Sequence, residues 1–513
     1  MKKLVFFILL FLGVSIGGWS QASVPSLNAT LENLERLLLS QNPSIQRSRL
    51  EVERSKADLQ SSQSLFDHQL FLETAYNNDR NNLLTLDPRI SLFEQVKSNT
   101  FKLNTGLQKN LRSSLRLNTS VNWLRSTNST PFDDFGNMES PFIATNNALA
   151  SLGLVQPLLR GKGREVVTAN ETISALQIEA NQHQLVQQAA TELLNLQLAY
   201  WQYLAAYRIY EIYQDNQSRI RRVLDITEQL VKGDKKPPAD LIQVRADLAD
   251  KEGQAILAEQ AYLQAKQNLG RVVGLGLSEI ERLTIPLEDF PSPKLKENNI
   301  EDYLEIASKN RQDLKALKLG VESLHRLLVV AENDLRPQLD LEGTITYGGV
   351  NRGNEIANFL TTFGENRGRQ VNVGIGMRYL FPLQNNQSKA AYARQKITIQ
   401  EQQIILENQE RNIQINVRIA LTNLELSLSA LSKTEEAYNF YLTAFDNEKA
   451  KFQNGLTTLI NLILFQERLT TAQIRFIQAQ RQFAGDYSTL EFETGQLLSA
   501  ASKVDINSFL PRN

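Results

Sequence analysis

Between residues 338 and 347 apolar and polar side chains alternate. Leu339, Leu341, Ile345 and Tyr347 fall on one face, and Gln338, Asp340, Glu342, Thr344 and Thr346 on the other, the period-two signature of a strand with one dry and one wet face. Residues 371–381 repeat the pattern, with Val371, Val373, Ile375, Met377 and Tyr379 set against Asn372, Gly374, Gly376 and Arg378. Segments 69–76, 101–108, 115–123 and 148–156 alternate in the same way. A soluble sheet with one wetted face also alternates, but strands of this length ending in Tyr or Trp suit an outer-membrane barrel. The smallest such barrels need about eight strands, and this chain offers four to six. An open sheet edge in lipid leaves backbone groups unpaired, so closure is expected to be shared between protomers.

Two stretches free of Gly and Pro, 164–232 and 383–454, follow strands that end at Pro157 and Pro382. As continuous helices at 1.5 Å per residue each would be roughly 100 Å long. Ala189, Leu193, Leu196, Tyr200, Tyr203, Tyr207 and Tyr210 recur at steps of four and three; so do Leu421, Leu424, Leu428, Leu431, Glu435, Tyr438, Leu442, Phe445, Lys449 and Phe452. Both series read as coiled-coil seams, in which Glu435 and Lys449 would set register.

Displacing the chain by 269 residues aligns 31–73 with 300–342 without a gap, matching Glu32 to Glu301, Val52-Glu53 to Val321-Glu322, and Gln69-Leu70 to Gln338-Leu339. The expected organisation is a signal peptide (1–22) and a first repeat (23–277) whose long helix 164–232 turns at a tip (232–238) into a return helix (239–270). A Pro-containing connector (278–299) leads to a second repeat (300–498) with long helix 383–454, tip 453–457 and return helix 458–498, and a tail (499–513) follows. The two strand-ending prolines are only 225 residues apart, so the first repeat carries an excess between its first strand and its Pro. The segments 101–108 and 115–123 account for it as an added hairpin, either within the barrel or standing above the membrane.

Lys2, Lys3, the apolar run 4–16 and Ser20-Gln21-Ala22 form the three parts of an export signal. The absence of Cys excludes disulfides, thiolate metal sites, Cys nucleophiles and a lipidated N-terminal Cys. A formal charge of −1 leaves no basic footprint for nucleic acid. His68, His183 and His325 lack metal-ligand spacing, Gly161-Lys162-Gly163 lacks the rest of a phosphate loop, and there is no nucleophile elbow. The chain therefore reads as a non-enzyme without cofactor or metal.

The order of strands, Pro, very long helix and Gly-containing tip resembles the outer-membrane efflux protein (TolC) family over essentially the whole mature chain. The residues that carry the resemblance are Val155-Gln156-Pro157-Leu158-Leu159-Arg160-Gly161 at a strand-to-helix junction and Phe452-Gln453-Asn454-Gly455-Leu456-Thr457-Thr458 at the second tip. The resemblance implies a mainly α fold with membrane β: a homotrimeric α/β-barrel channel-tunnel, in the outer membrane of a Gram-negative-type bacterium, with a periplasmic extension. It implies an exit channel for small molecules that works with a periplasmic adaptor and an inner-membrane pump or ABC transporter. A type I protein-secretion conduit shares the architecture, and a periplasmic coiled-coil scaffold without a pore is the remaining alternative. Twelve strands per trimer is the family norm; the added hairpin would raise this to eighteen.

The resemblance also makes the tips the adaptor-docking sites, with Gly455, Leu456 and Thr457 foremost and Gly233 and Asp234 next. The periplasmic gate maps to Asp240, Phe452, Asn461 and Leu464. At the last three positions and at Thr457 the type member's charged or hydroxylated gate partners are replaced, so its acidic ring and ion-pair lock are not carried over.

Overall fold

The computed structural model describes residues 27–82, 95–129, 143–235, 237–286, 288–292, 299–363, 369–454 and 456–498. The expected signal peptide and C-terminal tail lie outside these residues.

Each repeat opens with a helix pair. Helices α1 (Leu31–Gln41) and α2 (Pro43–Gln63) are followed by strand β1 (Gln69–Asn82), as α7 (Ile300–Asn310) and α8 (Gln312–Asn333) are by β5 (Gln338–Arg352). All three starts are offset by the 269 residues of the internal alignment. The break between α1 and α2 is chemical: Asn42 accepts from the backbone N–H of Ser44 and Ile45 at 2.8 and 3.3 Å, with Pro43 in the first helical turn.

The remaining strands are β2 (Gln95–Asn110), β3 (Arg116–Asn128), β4 (Ala144–Pro157) and β6 (Gln370–Leu380). All six form one antiparallel meander in the order β1 to β6. The register puts Leu72 opposite Thr105, Thr105 opposite Val121, Trp123 opposite Ala148, Leu152 opposite Ile345, and Ile345 opposite Val373. Directly opposed residues share a face, so the apolar rows of all six strands merge into one belt. The other face carries Gln108, Asn118, Ser151, Thr344 and Asp340.

The hairpin β2–β3 belongs to this sheet. Its turn is on the same side as the long helices, where Arg112 makes a bidentate contact with Glu171 at 2.9 Å through each nitrogen. A hairpin standing beyond the far end of the sheet would carry its turn on the opposite side. The strands also outrun their alternating segments: β1 continues to Asn82, and Asn77, Asn78, Asp79 and Arg80 are polar on both faces. Backbone pairing with 95–100 sustains it there, and no apolar row is required.

The long helices are α4 (Ala169–Lys232, 64 residues) and α10 (Asn386–Gln453, 68 residues), each roughly 100 Å at 1.5 Å per residue. A one-turn helix, α3 (Arg164–Val167), precedes α4 and is separated from it by Thr168 (φ −95°, ψ 9°). The expected unbroken helix is interrupted here, after the β-branched pair Val166-Val167, and the Thr168 hydroxyl bonds back to the Arg164 carbonyl at 2.8 Å. Returns α5 (Pro238–Val273) and α11 (Leu459–Glu493) run along α4 and α10 respectively. Short helix α6 (Leu277–Glu281) opens the inter-repeat segment, and α9 (Ile356–Leu360) lies between β5 and β6.

Two apolar clusters hold the helices. In one, Leu34, Leu38 and Ile45 pack on Leu193, Leu196, Tyr200, Tyr203 and Leu269, the predicted α4 seam among them. In the other, Leu314 and Phe483 cover Ile413, Val417, Leu424 and Leu431. Each fully buried Leu of this kind contributes about 1.5–3 kcal/mol. Beyond Leu431, Tyr438, Leu442 and Phe445 stay half-buried as expected, with Tyr438 stacked on Phe476, but the two charged seam positions do not turn inward. Glu435 and Lys449 are exposed, Thr434 turns inward, and the buried charge is Glu448. At both places the side chain one position earlier in the chain, Thr434 or Glu448, takes the inward position instead.

Candidate functional site

Two parts of the molecule carry functional chemistry: the sheet and the hairpin tips. On the apolar face, Leu70, Val373 and Ile375 are exposed at 79, 69 and 83%, and the row from Leu70 through Leu107, Thr119, Leu152 and Ile345 to Val373 carries no charge. Tyr379 and Phe381 stack at the helix-proximal end, and Tyr76, Phe101, Trp123 and Tyr347 stand towards the far end. An apolar band between two aromatic girdles is the outer surface of a membrane barrel. The polar face holds ion pairs near the helices: Arg116 to Asp340 at 3.4 Å and Arg378 to Glu342 at 3.2 Å. Gln338 also donates to Asp340 at 2.7 Å. Strands β1 and β6 are the open edges, and they run in opposite directions, so β6 of one copy is oriented to pair antiparallel with β1 of the next.

At the second tip α10 ends with the Leu456 amide bonded to the Lys451 carbonyl at 2.9 Å, and Thr458 caps α11 by accepting from the Asn461 amide. Thr457 donates to the Glu448 carboxylate, Lys451 reaches the same carboxylate at 3.3 Å, and Asn461 donates through Nδ2 to Thr457 Oγ1 at 3.3 Å. The Thr457 hydrogen bond, with help from Lys451 and against desolvation, holds the Glu448 carboxyl below its ordinary range. Thr457 and Asn461 are thus brought together, through a residue that sequence reading passed over in favour of Lys449. Leu456 points outward at 77% exposure, and Phe452 and Leu464 are exposed beside it. Gly455 lies outside the described residues.

The first tip turns through Gly233 and through Asp234, which adopts left-handed φ of 53°; the Lys235 amide bonds to the Leu230 carbonyl at 2.9 Å. Asp240 sits in the first turn of α5, in the other hairpin from Asn461 and Leu464. Above the tips the two hairpins are tied directly. Lys251 of α5 donates to Glu467 of α11, and the buried Asn216 of α4 donates to Thr470 at 2.9 Å and accepts from Gln466 at 3.4 Å. None of these was singled out from sequence, because each needs a partner about 216 to 254 residues away.

An open six-stranded sheet with a lipid-type belt, hung on two helical hairpins of roughly 100 Å, has the form of a protomer that supplies part of an outer-membrane barrel. Residues 303–496 match the family described as outer membrane efflux protein. The chain is 23% identical to the outer membrane protein TolC of Vibrio cholerae over 328 residues, 63% of this chain and 72% of that one. Its fold is that of the CmeC outer membrane channel of Campylobacter jejuni (TM-score 0.63, 13% identity, 91% of this chain and 86% of the other). The outer membrane protein VceC of Vibrio cholerae is similar to the same degree (TM-score 0.62, 13% identity, 91% and 96%).

Proposed function

We propose that three copies close their sheets into one barrel and their hairpins into one tunnel, giving an exit duct for small molecules that is fed by an inner-membrane transporter through a periplasmic adaptor. The observation that carries this reading is the continuity of the apolar belt across all six strands up to the two unpaired edges, which lipid does not tolerate. With six strands per copy the barrel has eighteen. Since diameter grows roughly linearly with strand number, its lumen is about half again as wide as that of a twelve-stranded relative. The adaptor docks on Gly233, Asp234, Gly455, Leu456 and Thr457, and the entrance is narrowed by Asp240, Phe452, Asn461 and Leu464.

Planar-bilayer recording on the purified protein tests the duct: stable unitary steps from a trimer-sized species support it, and their absence defeats it. Cross-linking from Thr457→Cys to a candidate adaptor in intact cells tests the docking surface. Loss of cross-links at the tips with retention elsewhere on the helices would remove that assignment.

A further inference from the structure

The segment 353–363 between β5 and β6 does not arch away from the sheet; it folds back onto the apolar face. The Phe359 ring meets Phe101 edge-on with centroids 6.1 Å apart, and the Phe363 ring meets Trp123 at 5.5 Å. Phe101 and Trp123 both belong to the belt side of the sheet, as do Ala148 and Gly349 opposite one another. The Thr362 carbonyl oxygen occupies the place a Cβ on Gly349 would take, and Ala144, Ala148 and Thr362 are completely buried.

Polar contacts pin the segment along the far rim. Arg125 donates to the Asn354 carbonyl at 2.6 Å, and the Ala144 amide donates to the Asn354 side chain at 2.8 Å. Asn351 donates to the Asn358 carbonyl at 3.2 Å. The strap therefore covers β2 to β5, at the level where the apolar rows give way to Asn, Arg and Thr. It leaves Ile356 and Leu360 exposed at 73 and 67%, one helical turn apart.

We propose that this strap is an interfacial anchor lying on the outside of the barrel, with Ile356 and Leu360 inserted among the acyl chains of the outer leaflet just below the headgroups. The occupant follows from position. A neighbouring protomer meets the sheet at β1 and β6, which the strap leaves free, and the lumen is bounded by the opposite, polar face. What continues outward from the belt at this height is the membrane, and a short apolar helix with a polar margin is the form that lies in its interface. The inference rests on the outer-membrane channel reading.

The chain has no Cys, so single-site nitroxide labels test it in the full-length mature protein reconstituted in phosphatidylcholine and phosphatidylglycerol vesicles. Labels on Ile356→Cys and Leu360→Cys are compared with Ile375→Cys in the belt and Leu456→Cys at the tip, using oxygen and a water-soluble nickel chelate as collision partners. The expected result is oxygen-weighted accessibility at 356 and 360 close to that at 375, and several-fold more oxygen-weighted than at 456. Nickel-weighted accessibility at 356 and 360, or none to either reagent, with 375 still oxygen-weighted, overturns the anchor alone. Nickel-weighted accessibility at 375 overturns the channel reading, and the anchor with it.

Discussion

Thr457 donates a hydrogen bond to the carboxylate of Glu448, nine residues earlier in the chain, and so closes the second hairpin tip across its own turn. Lys451 and Asn461 complete the cluster, one on the carboxylate and one on the threonine hydroxyl. The geometry of the tip is therefore held by side chains at two levels of the hairpin and not by the turn backbone alone. Thr457→Val removes the donor and leaves the carboxylate with Lys451 only. The expected outcome is a several-fold faster proteolytic nick between α10 and α11, restored to the wild-type rate by Thr457→Ser, with no change in trimer melting. Unchanged nicking in Thr457→Val would show that the cluster does not order the tip.

How much of this was readable from sequence depended on the range of the interactions. The strands announced themselves because lipid on one side and water on the other force period two on residues such as Val371 to Tyr379. The helix pairs and their duplication were visible through the 269-residue offset. The apolar α10 seam is legible through Phe445, but at its two charged places, Glu435 and Lys449, the residue one position earlier turns inward, because a count of four and a step of three are equally regular on paper. The strap at 353–363 carries no periodicity, being defined by what Phe359 and Phe363 touch, and it was missed. The ties Lys251 to Glu467 and Asn216 to Thr470 join different repeats, and nothing local in either segment marks its partner.

Burial of Glu35 in α1 raises its carboxyl from the ordinary 4.5 to about 7, with Glu288, Glu32 and Glu491 adding to the rise and the Gln197 hydrogen bond at 3.3 Å opposing it. The folded state thus holds this proton more tightly than the unfolded chain. The stability it confers is fully present below pH 4.5 and is lost as pH rises to about 7, a change of roughly 3 kcal/mol. Glu35→Gln keeps the shape and cannot ionise. It is expected to raise the melting midpoint at pH 8 and to flatten the dependence between pH 4.5 and 7. A wild-type-like pH profile in Glu35→Gln would place the titration elsewhere.

Lys251 to Glu467 joins α5 to α11, the return helices of the two hairpins, and its acid partner is half exposed. An ion pair in that setting contributes at most about 1 kcal/mol to folding, so Glu467→Gln is expected to melt within that margin of the wild type. Its effect belongs to the relative motion of the hairpins: the tunnel entrance should open more often, read as higher mean conductance in bilayers. The reversed pair Lys251→Glu with Glu467→Lys should return the conductance towards wild type. Equal conductance in all three would assign the contact to the surface only.

Ile375 stands in the middle of the β6 belt row and Thr346 on the polar face of β5, and the two separate lipid from lumen by residue position alone. An arginine at the bilayer midplane of a barrel costs about 2–4 kcal/mol, and a trimer would carry three of them. Ile375→Arg is therefore expected to reduce the assembled trimer recovered from outer membranes several-fold. Thr346→Arg should assemble normally and shift the reversal potential towards anion preference, because the new charges face water. Normal assembly of Ile375→Arg together with failure of Thr346→Arg would mean that the sheet is turned inside out relative to this assignment.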